Sequence, residues 1–226
     1  MTIKELNENK RLEREKQERQ RVHDLYKFED ELRKSGFTKI AGVDEAGRGS
    51  LAGSLLVAAV ILPLDLFIDH LNDSKKLTHM QRDKLYDEIT KQSIAYSAVS
   101  VEIDEIDDCN IYQATLRGMY RAVEQLPVKP DFVLTDAMKL EFEDGLPTRS
   151  IIHGDALSAS IAAASIIAKV TRDRMTDEWH KIYPQYGFAN NRGYGTKMHI
   201  EAIRKYGYCE LHRRSFEPVK SMINNK

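Results

Sequence analysis

Ala41-Gly42-Val43-Asp44-Glu45-Ala46-Gly47-Arg48-Gly49-Ser50-Leu51-Ala52-Gly53 is the stretch around which the rest of the chain is organised. Apolar residues run into two adjacent carboxylates, and four glycines fall within the twelve positions from Gly42 to Gly53. A strand ending in Asp44-Glu45 can offer two hard oxygen ligands to one cation of the Mg²⁺ or Mn²⁺ kind. Neighbouring side chains on a strand point to opposite faces, so Glu45 joins Asp44 at one cation only if the strand stops or twists there. Gly47 and Gly49 supply such a turn and let backbone N–H groups approach a phosphate or sugar, while Arg48 adds a fork suited to phosphate. The competing reading is a strand end with a solvated acidic pair and a glycine-rich turn.

Outward from this stretch, strands and helices alternate. Lys39–Asp44 reads as the first strand, and Leu55–Ile61, apolar almost throughout, as a central buried one. Thr78-His79-Met80-Gln81 reads as a capping box opening a helix to about residue 91. Ile94–Val101 alternates as a strand, and Asp104 or Asp107 can cap a helix running to about Leu126. Phe132-Val133-Leu134 then enters Thr135-Asp136, a second apolar strand ending in a carboxylate, and Arg149–Ile152 reads as a short strand. Asp155 stands before Ala156–Lys169, a helix of small side chains able to lie against the sheet; it is either an acid of the site or a plain N-cap. Arg172, Asp173 and Arg174 carry that helix outward, as a solvated end or a phosphate-facing edge. Trp179 reads as a core anchor. Lys75 and Lys76 are surface lysines or phosphate contacts. Tyr194, between Gly193 and Gly195, is a ring exposed for stacking or a loop tyrosine bonded through its hydroxyl. Thr196 begins a last helix ending at Gly207. The interleaving predicts an α/β sheet flanked by helices.

The 226 residues suffice for one sizeable domain plus an appendage. Residues 1–35 alternate charges of both signs, and Arg14–Glu18 and Glu15–Arg19 have the spacing of a solvated helix. Val22, Leu25, Phe28 and Leu32 then give a docking stripe over about residues 20–35. No apolar signal core follows the charged start, and Gly53 and Pro63 interrupt the longest apolar run, so neither export nor membrane insertion is expected. Cys109 and Cys209 lack metal-ligand spacing and suit a reducing cytoplasm. The net charge of −1 hides an asymmetry, because Arg149–Lys220 holds 12 Lys and Arg against 7 Asp and Glu. A basic C-terminal half beside an acidic site suits a polyanionic substrate.

Taken together, these segments resemble ribonuclease HII from about Ile40 to Val219. The resemblance is carried by Asp44-Glu45-Ala46-Gly47-Arg48-Gly49, Asp73-Ser74-Lys75-Lys76-Leu77, Leu134-Thr135-Asp136, Gly154-Asp155-Ala156, Ser160–Arg174, Tyr183–Phe188, Gly193-Tyr194-Gly195-Thr196 and His212–Val219. It implies a ribonuclease-H-like mixed sheet flanked by helices over residues 37–226, with a helical C-terminal region and residues 1–36 as a charged N-terminal helical extension. It further implies that Asp44, Glu45, Asp136 and Asp155 are the catalytic metal ligands, for two divalent cations, Mg²⁺ or Mn²⁺. Gly47, Arg48, Gly49 and Tyr194 match the elements that recognise an RNA–DNA junction, and Lys75, Lys76 and Lys169 are expected at the substrate. The implied reaction is hydrolysis of RNA in RNA–DNA hybrids and nicking 5′ to ribonucleotides embedded in duplex DNA, by a cytoplasmic monomer that removes misincorporated ribonucleotides. Ser50 and Ser54 stand where the family usually has proline, which implies a looser loop. Asn191-Arg192 replaces a His-Lys pair, and His153 a basic residue. Ribonuclease HIII, the nearest rival, has an N-terminal domain too large for about 35 residues, and a mere binding module leaves four like charges unexplained.

Overall fold

The computed structural model describes residues 3–224. Its sheet has the order β3-β2-β1-β4-β5, from β1 (Ile40–Ala46), β2 (Leu55–Ile61), β3 (Ala95–Val101), β4 (Phe132–Asp136) and β5 (Thr148–Ile151). The helices are α1 (Ile3–Leu25), α2 (Lys27–Lys34), α3 (His79–Gln92), α4 (Ile103–Cys109), α5 (Ile111–Glu124), α6 (Ala159–Ile182), α7 (Phe188–Asn191), α8 (Lys197–Tyr206) and α9 (Val219–Asn224). β1 lies antiparallel to β2 and parallel to β4, so the sheet is mixed and flanked by helices, as the resemblance implies. None of the described helices is long and apolar enough to cross a membrane.

Alternation along β2 builds the two layers. Leu56, Ala58 and Val60 face α6, whereas Leu55, Val57, Ala59 and Ile61 face the α5 side. α6 lies against β1 with almost nothing between them. A Cβ on Gly42 would fall 2.0 Å from the backbone carbon of Ser160, so neither backbone could stay in place if that glycine carried a side chain. The small residues of α6 thus bring the helix onto the sheet. The helix runs further than its small-residue segment, and Arg172 and Asp173, expected at a solvated edge, are buried. The cause is the loop after β1 together with the C-terminal region, which cover that part of α6: Arg172 donates to the carbonyls of Ala52 and Ser54 from the first and of Arg192 from the second. Trp179 is half-buried and packs with this region, close over Gly53.

The capping box at Thr78 and Gln81 is formed, as is the Thr196 cap of α8. The helix to Leu126 is instead two pieces, with Asn110 rather than Asp104 or Asp107 capping α5. Asp107 is taken by the C-terminal segment, accepting from the Arg214 amide and from the amide and hydroxyl of Ser215.

The N-terminal stretch breaks at Tyr26 into α1 and α2. Val22 and Leu25 pack beside Ile68 and Leu71, and Leu32 joins Ile40, Phe132, Leu134, Ile151 and Ile161. Among the described residues of α1, Arg11 pairs with Glu15 and Glu18 with Arg21, rather than in the two expected combinations. Arg21 is docked on the Leu71 carbonyl and holds Glu18, while Arg19 turns to the Phe67 ring. The outermost ends of the two expected segments, residues 1–2 and 225–226, lie outside the described residues.

Candidate metal centre

β1 and β4 run parallel with Val43 opposite Thr135, so Asp44 and Asp136 emerge side by side at one end of the sheet. Both stand on the α6 face. Asp155 arrives from a single 3₁₀ turn, Gly154–Ala156, entered through His153 in the left-handed region at φ 58°. The Gly154 amide donates to Asp136 Oδ1 at 2.7 Å, clamping this turn onto β4. One carboxylate oxygen from each of Asp44, Asp136 and Asp155 lies within 4.8 Å of the others. Asp155 is therefore not the cap of α6; Ser158 is, its hydroxyl accepting from the Ile161 amide at 3.3 Å.

Glu45 stands apart from this triad. β1 does not stop at Asp44 but stays paired through Ala46, held by the unbroken apolar run of β2. Asp44 pairs with Ala58 and Glu45 with Val57, whose side chains belong to opposite layers, so the two carboxylates leave the strand on opposite faces. Glu45 Oε1 lies 3.6 Å from Arg48 Nη1, and its buried Oε2 finds no donor among the described residues.

The electrostatics are those of crowded acids. Burial, then the charges of Glu45 and Asp136, pushes the Asp44 carboxyl well above its ordinary range. Burial likewise raises Glu45, with Arg48 pulling against it. Burial raises Asp136, partly offset by the Gly154 amide. Lys75 answers the cluster directly, with Nζ 2.8 Å from Asp155 Oδ2. Partial desolvation works against its charge, but the bond to Asp155 and the nearby acids raise the ammonium overall.

Asp44, Glu45 and Asp136 line a cleft of about 410 Å³ whose wall also includes Gly47, Arg48, Gly49, Lys75, Lys169 and Tyr194. A larger hollow of about 570 Å³ along α1 gathers no such acids, so size does not pick the site. Lys76 is exposed and does not line the cleft. Lys169 is held by Asp173, one turn on, at 2.7 Å; burial pushes its ammonium down while Asp173 pulls it up.

The Gly47–Gly49 loop is fixed from outside the cleft by two buried arginines. Arg213 donates to the carbonyls of Gly47, Arg48 and Gly53, and Arg172 to those of Ala52 and Ser54 and to the Ser50 hydroxyl. Gly47 has φ 91°, and a Cβ there would strike the Arg172 side chain. The carbonyls of Gly47 and Arg48 are thus drawn to Arg213 while Gly47–Gly49 line the cleft. Ser50 does not loosen the loop, since its hydroxyl donates to the Gly47 carbonyl at 2.8 Å while accepting from Arg172 at 2.7 Å. Ser54 is tied to Glu102. Arg192, of the Asn191-Arg192 pair that stands in place of His-Lys, spends its charge on the Asp173 carbonyl, Thr176 and Asp177.

A sequence model of the family Ribonuclease HII matches residues 41–219, most of the chain. The chain belongs to the ribonuclease HII family. The ribonuclease HII of Bacillus cytotoxicus is 52% identical over 210 residues, covering 93% of this chain and 80% of that protein. The ribonuclease HII of Bacillus cereus strain B4264 is 52% identical over 214 residues, covering 95% and 82%. The crystal structure of ribonuclease H2 from Pyrococcus horikoshii OT3 is similar with a TM-score of 0.70 at 26% identity, over 83% of this chain and 98% of that one.

As a member of the ribonuclease HII family, the chain is a metal-dependent ribonuclease H endonuclease. The residues fit a divalent cation: three converging carboxylates are hard oxygen donors, and Glu45, though it leaves β1 on the other face, lines the same cleft with a buried oxygen that has no donor among the described residues. Sequence reasoning placed Arg172 at a solvated or phosphate-facing helix end and gave Arg213 no role, whereas both shape the loop without lining the cleft. A signal for the first was present: an arginine set in a helix otherwise built to be buried implies a partner-rich interior. For Arg213 no local signal exists, because its partners lie about 160 residues earlier in the chain.

Proposed function

We propose that this chain hydrolyses the RNA strand of RNA–DNA hybrids and nicks duplex DNA 5′ to embedded ribonucleotides, leaving 3′-hydroxyl and 5′-phosphate ends. The observation that carries this reading is one cleft lined by Asp44 and Asp136 of the acid cluster, by Gly47–Gly49 and by Tyr194. Asp44, Glu45, Asp136 and Asp155 hold the cations, Mg²⁺ or Mn²⁺. Two bound divalent cations supply activation of a water and stabilisation of the leaving 3′ oxygen.

The chain's own groups choose and place the substrate. Only the 2′-hydroxyl separates RNA from DNA at a given sugar, and the loop amides at Gly47–Gly49 are donors able to sense it. Tyr194 is 40% exposed and packs on the neighbouring deoxyribose. Arg48, Lys75 and Lys169 meet the phosphates, and Lys76 meets the backbone further along the strand. No group reads a base edge in this scheme, so sequence tolerance is broad. The reading extends to a cytoplasmic monomer that clears misincorporated ribonucleotides, with residues 1–36 as an extension of the catalytic domain.

The test is a DNA duplex carrying one ribonucleotide, incubated with Mg²⁺ or Mn²⁺ and with an EDTA control. Metal-dependent nicking on the 5′ side supports the reading, and Tyr194→Ala is expected to weaken it. Cutting of long hybrids with no nicking at the single ribonucleotide overturns the junction assignment. Binding without cutting overturns the catalytic one.

A further inference from the structure

The first turn of α6 touches all three carriers of the carboxylate triad. Its Ser160 backbone abuts Gly42, two residues before Asp44 on β1. The Ser158 amide donates to the Gly154 carbonyl at 2.9 Å, at the start of the turn that carries Asp155. Gly154 in turn donates to Asp136. The position of this helical turn therefore sets how the three acids stand to one another.

One side chain pegs it, and it comes from the N-terminal extension. Glu29 on α2 is only 5% exposed, and its Oε1 accepts from the Ser158 hydroxyl at 2.6 Å and the Ser160 amide at 2.9 Å. A carboxylate suits the amide-rich start of a helix. Yet Ser158 already caps α6 through Ile161, so Glu29 does more than satisfy one amide. It fastens the cap itself, from a helix that Leu32 anchors on the sheet among Ile40, Phe132 and Leu134. The glutamate lies outside residues 41–219 and does not line the cleft.

We infer that Glu29 is a positioning residue of the metal centre: through Ser158 and Gly154 it sets Asp155 against Asp136 and Asp44. The inference rests on the reading that these acids hold the cation. It gives the N-terminal extension a part in cation affinity without any contact to cation or substrate.

The experiment uses the full chain and Mn²⁺ alone, by titration calorimetry without nucleic acid, with thermal unfolding of each variant alongside. Glu29→Ala is expected to weaken Mn²⁺ binding by about 10-fold, at the low end for groups that orient metal ligands from behind. Glu29→Gln keeps an acceptor oxygen for Ser158 and Ser160 and is expected to restore affinity to within about 2-fold, which loss of charge alone would not do. Ser158→Ala breaks the same link with a smaller change and carries the test should Glu29→Ala fail to fold; a loss of about 3-fold is expected. Variants that melt earlier yet bind Mn²⁺ like the unsubstituted chain overturn the inference, leaving Glu29 a structural cap only. If the unsubstituted chain binds no Mn²⁺, the cation reading of the triad fails first and takes the inference with it.

Discussion

Arg213 Nη2 lies 2.8 Å from the carbonyl oxygen of Gly47, in an arginine with no exposed surface. The same guanidinium reaches the carbonyls of Arg48 and Gly53, each at 2.9 Å. A planar fork can meet three acceptors on a bent loop, whereas an ammonium is a single point on a flexible stem. Arg213→Lys therefore leaves buried carbonyls unanswered and is expected to destabilise the chain by about 2 kcal/mol. It should also relax the loop, lowering kcat/KM at a single embedded ribonucleotide more than on a long hybrid. Denaturant unfolding and paired kinetics check this; equal losses on both substrates would remove Arg213 from substrate choice.

Lys75 gives a test of the site's charge balance that barely involves stability, because its side chain is largely exposed. Its ammonium meets Asp155 and faces the cleft where a phosphate of the substrate would pass. Lys75→Met removes one charge-assisted contact, and about 1.4 kcal/mol at the transition state corresponds to about 10-fold in kcat/KM. Unfolding should hardly move. A variant with unchanged kinetics would make Lys75 a plain surface residue, the alternative its sequence context left open.

The sheet and most helices were legible because their signals are local: the apolar run of β2, the capping box at Thr78, the small side chains of α6. Asp44 and Asp136 stood out too, each following an apolar strand run, whereas Asp155 could not be told from a plain N-cap until its turn was seen beside Asp136. What escaped was set by contacts distant in sequence. Asp107 reads as a helix cap until the segment around Arg214 takes it, and Arg172 reads as solvated or phosphate-facing until the Ser50–Ser54 loop and Arg192 supply its acceptors. Ser50 shows the same limit from the other side. A lost proline predicts a looser loop, but its hydroxyl bridges Gly47 and Arg172, a compensation visible only in three dimensions.

The buried His199–His212 pair makes stability depend on pH. The Cys209 amide donates to His212 Nδ1 at 3.0 Å, so neutral His212 carries its proton on Nε2, toward His199 Nε2 at 3.1 Å. His199 then donates from Nδ1 to the Tyr194 carbonyl at 2.9 Å, linking the pair to the cleft tyrosine. Burial, then the neighbouring His199, lowers His212 from 6.5 to about 4. The unfolded chain thus takes up this proton first. The contribution is present above pH 6.5, is lost as pH falls toward about 4, and amounts to about 3 kcal/mol. Asp44, Glu45 and Asp136, raised by burial, act with the opposite sign, so the comparison is with His212→Gln, which keeps one donor and one acceptor. Urea midpoints should diverge between pH 7 and 4.5, the unsubstituted chain losing more. Parallel curves would mean that His212 is protonated in the folded state.

Asp44→Asn separates the two things asked of the triad, folding and catalysis. Without a cation, Asp44 is a buried acid beside two others, and its folded pKa is raised by burial and by their charges. Its contribution to the stability of the cation-free chain is therefore full below its unfolded pKa of 3.8 and is lost as pH rises through the raised value. Asparagine keeps an oxygen for the Glu45 amide, which donates to Asp44 Oδ1 at 2.7 Å, and removes the charge. The variant in EDTA should be more stable than the unsubstituted chain at neutral pH, and the advantage should shrink toward pH 4. Mn²⁺ should reverse the order. At about 100 times its dissociation constant a cation bound only by the folded state adds about 2.7 kcal/mol, which the asparagine variant forfeits along with cleavage. Thermal unfolding at two pH values, with and without Mn²⁺, reads all of this at once. A variant that Mn²⁺ stabilises as strongly as it does the unsubstituted chain would show that Asp44 is not a ligand.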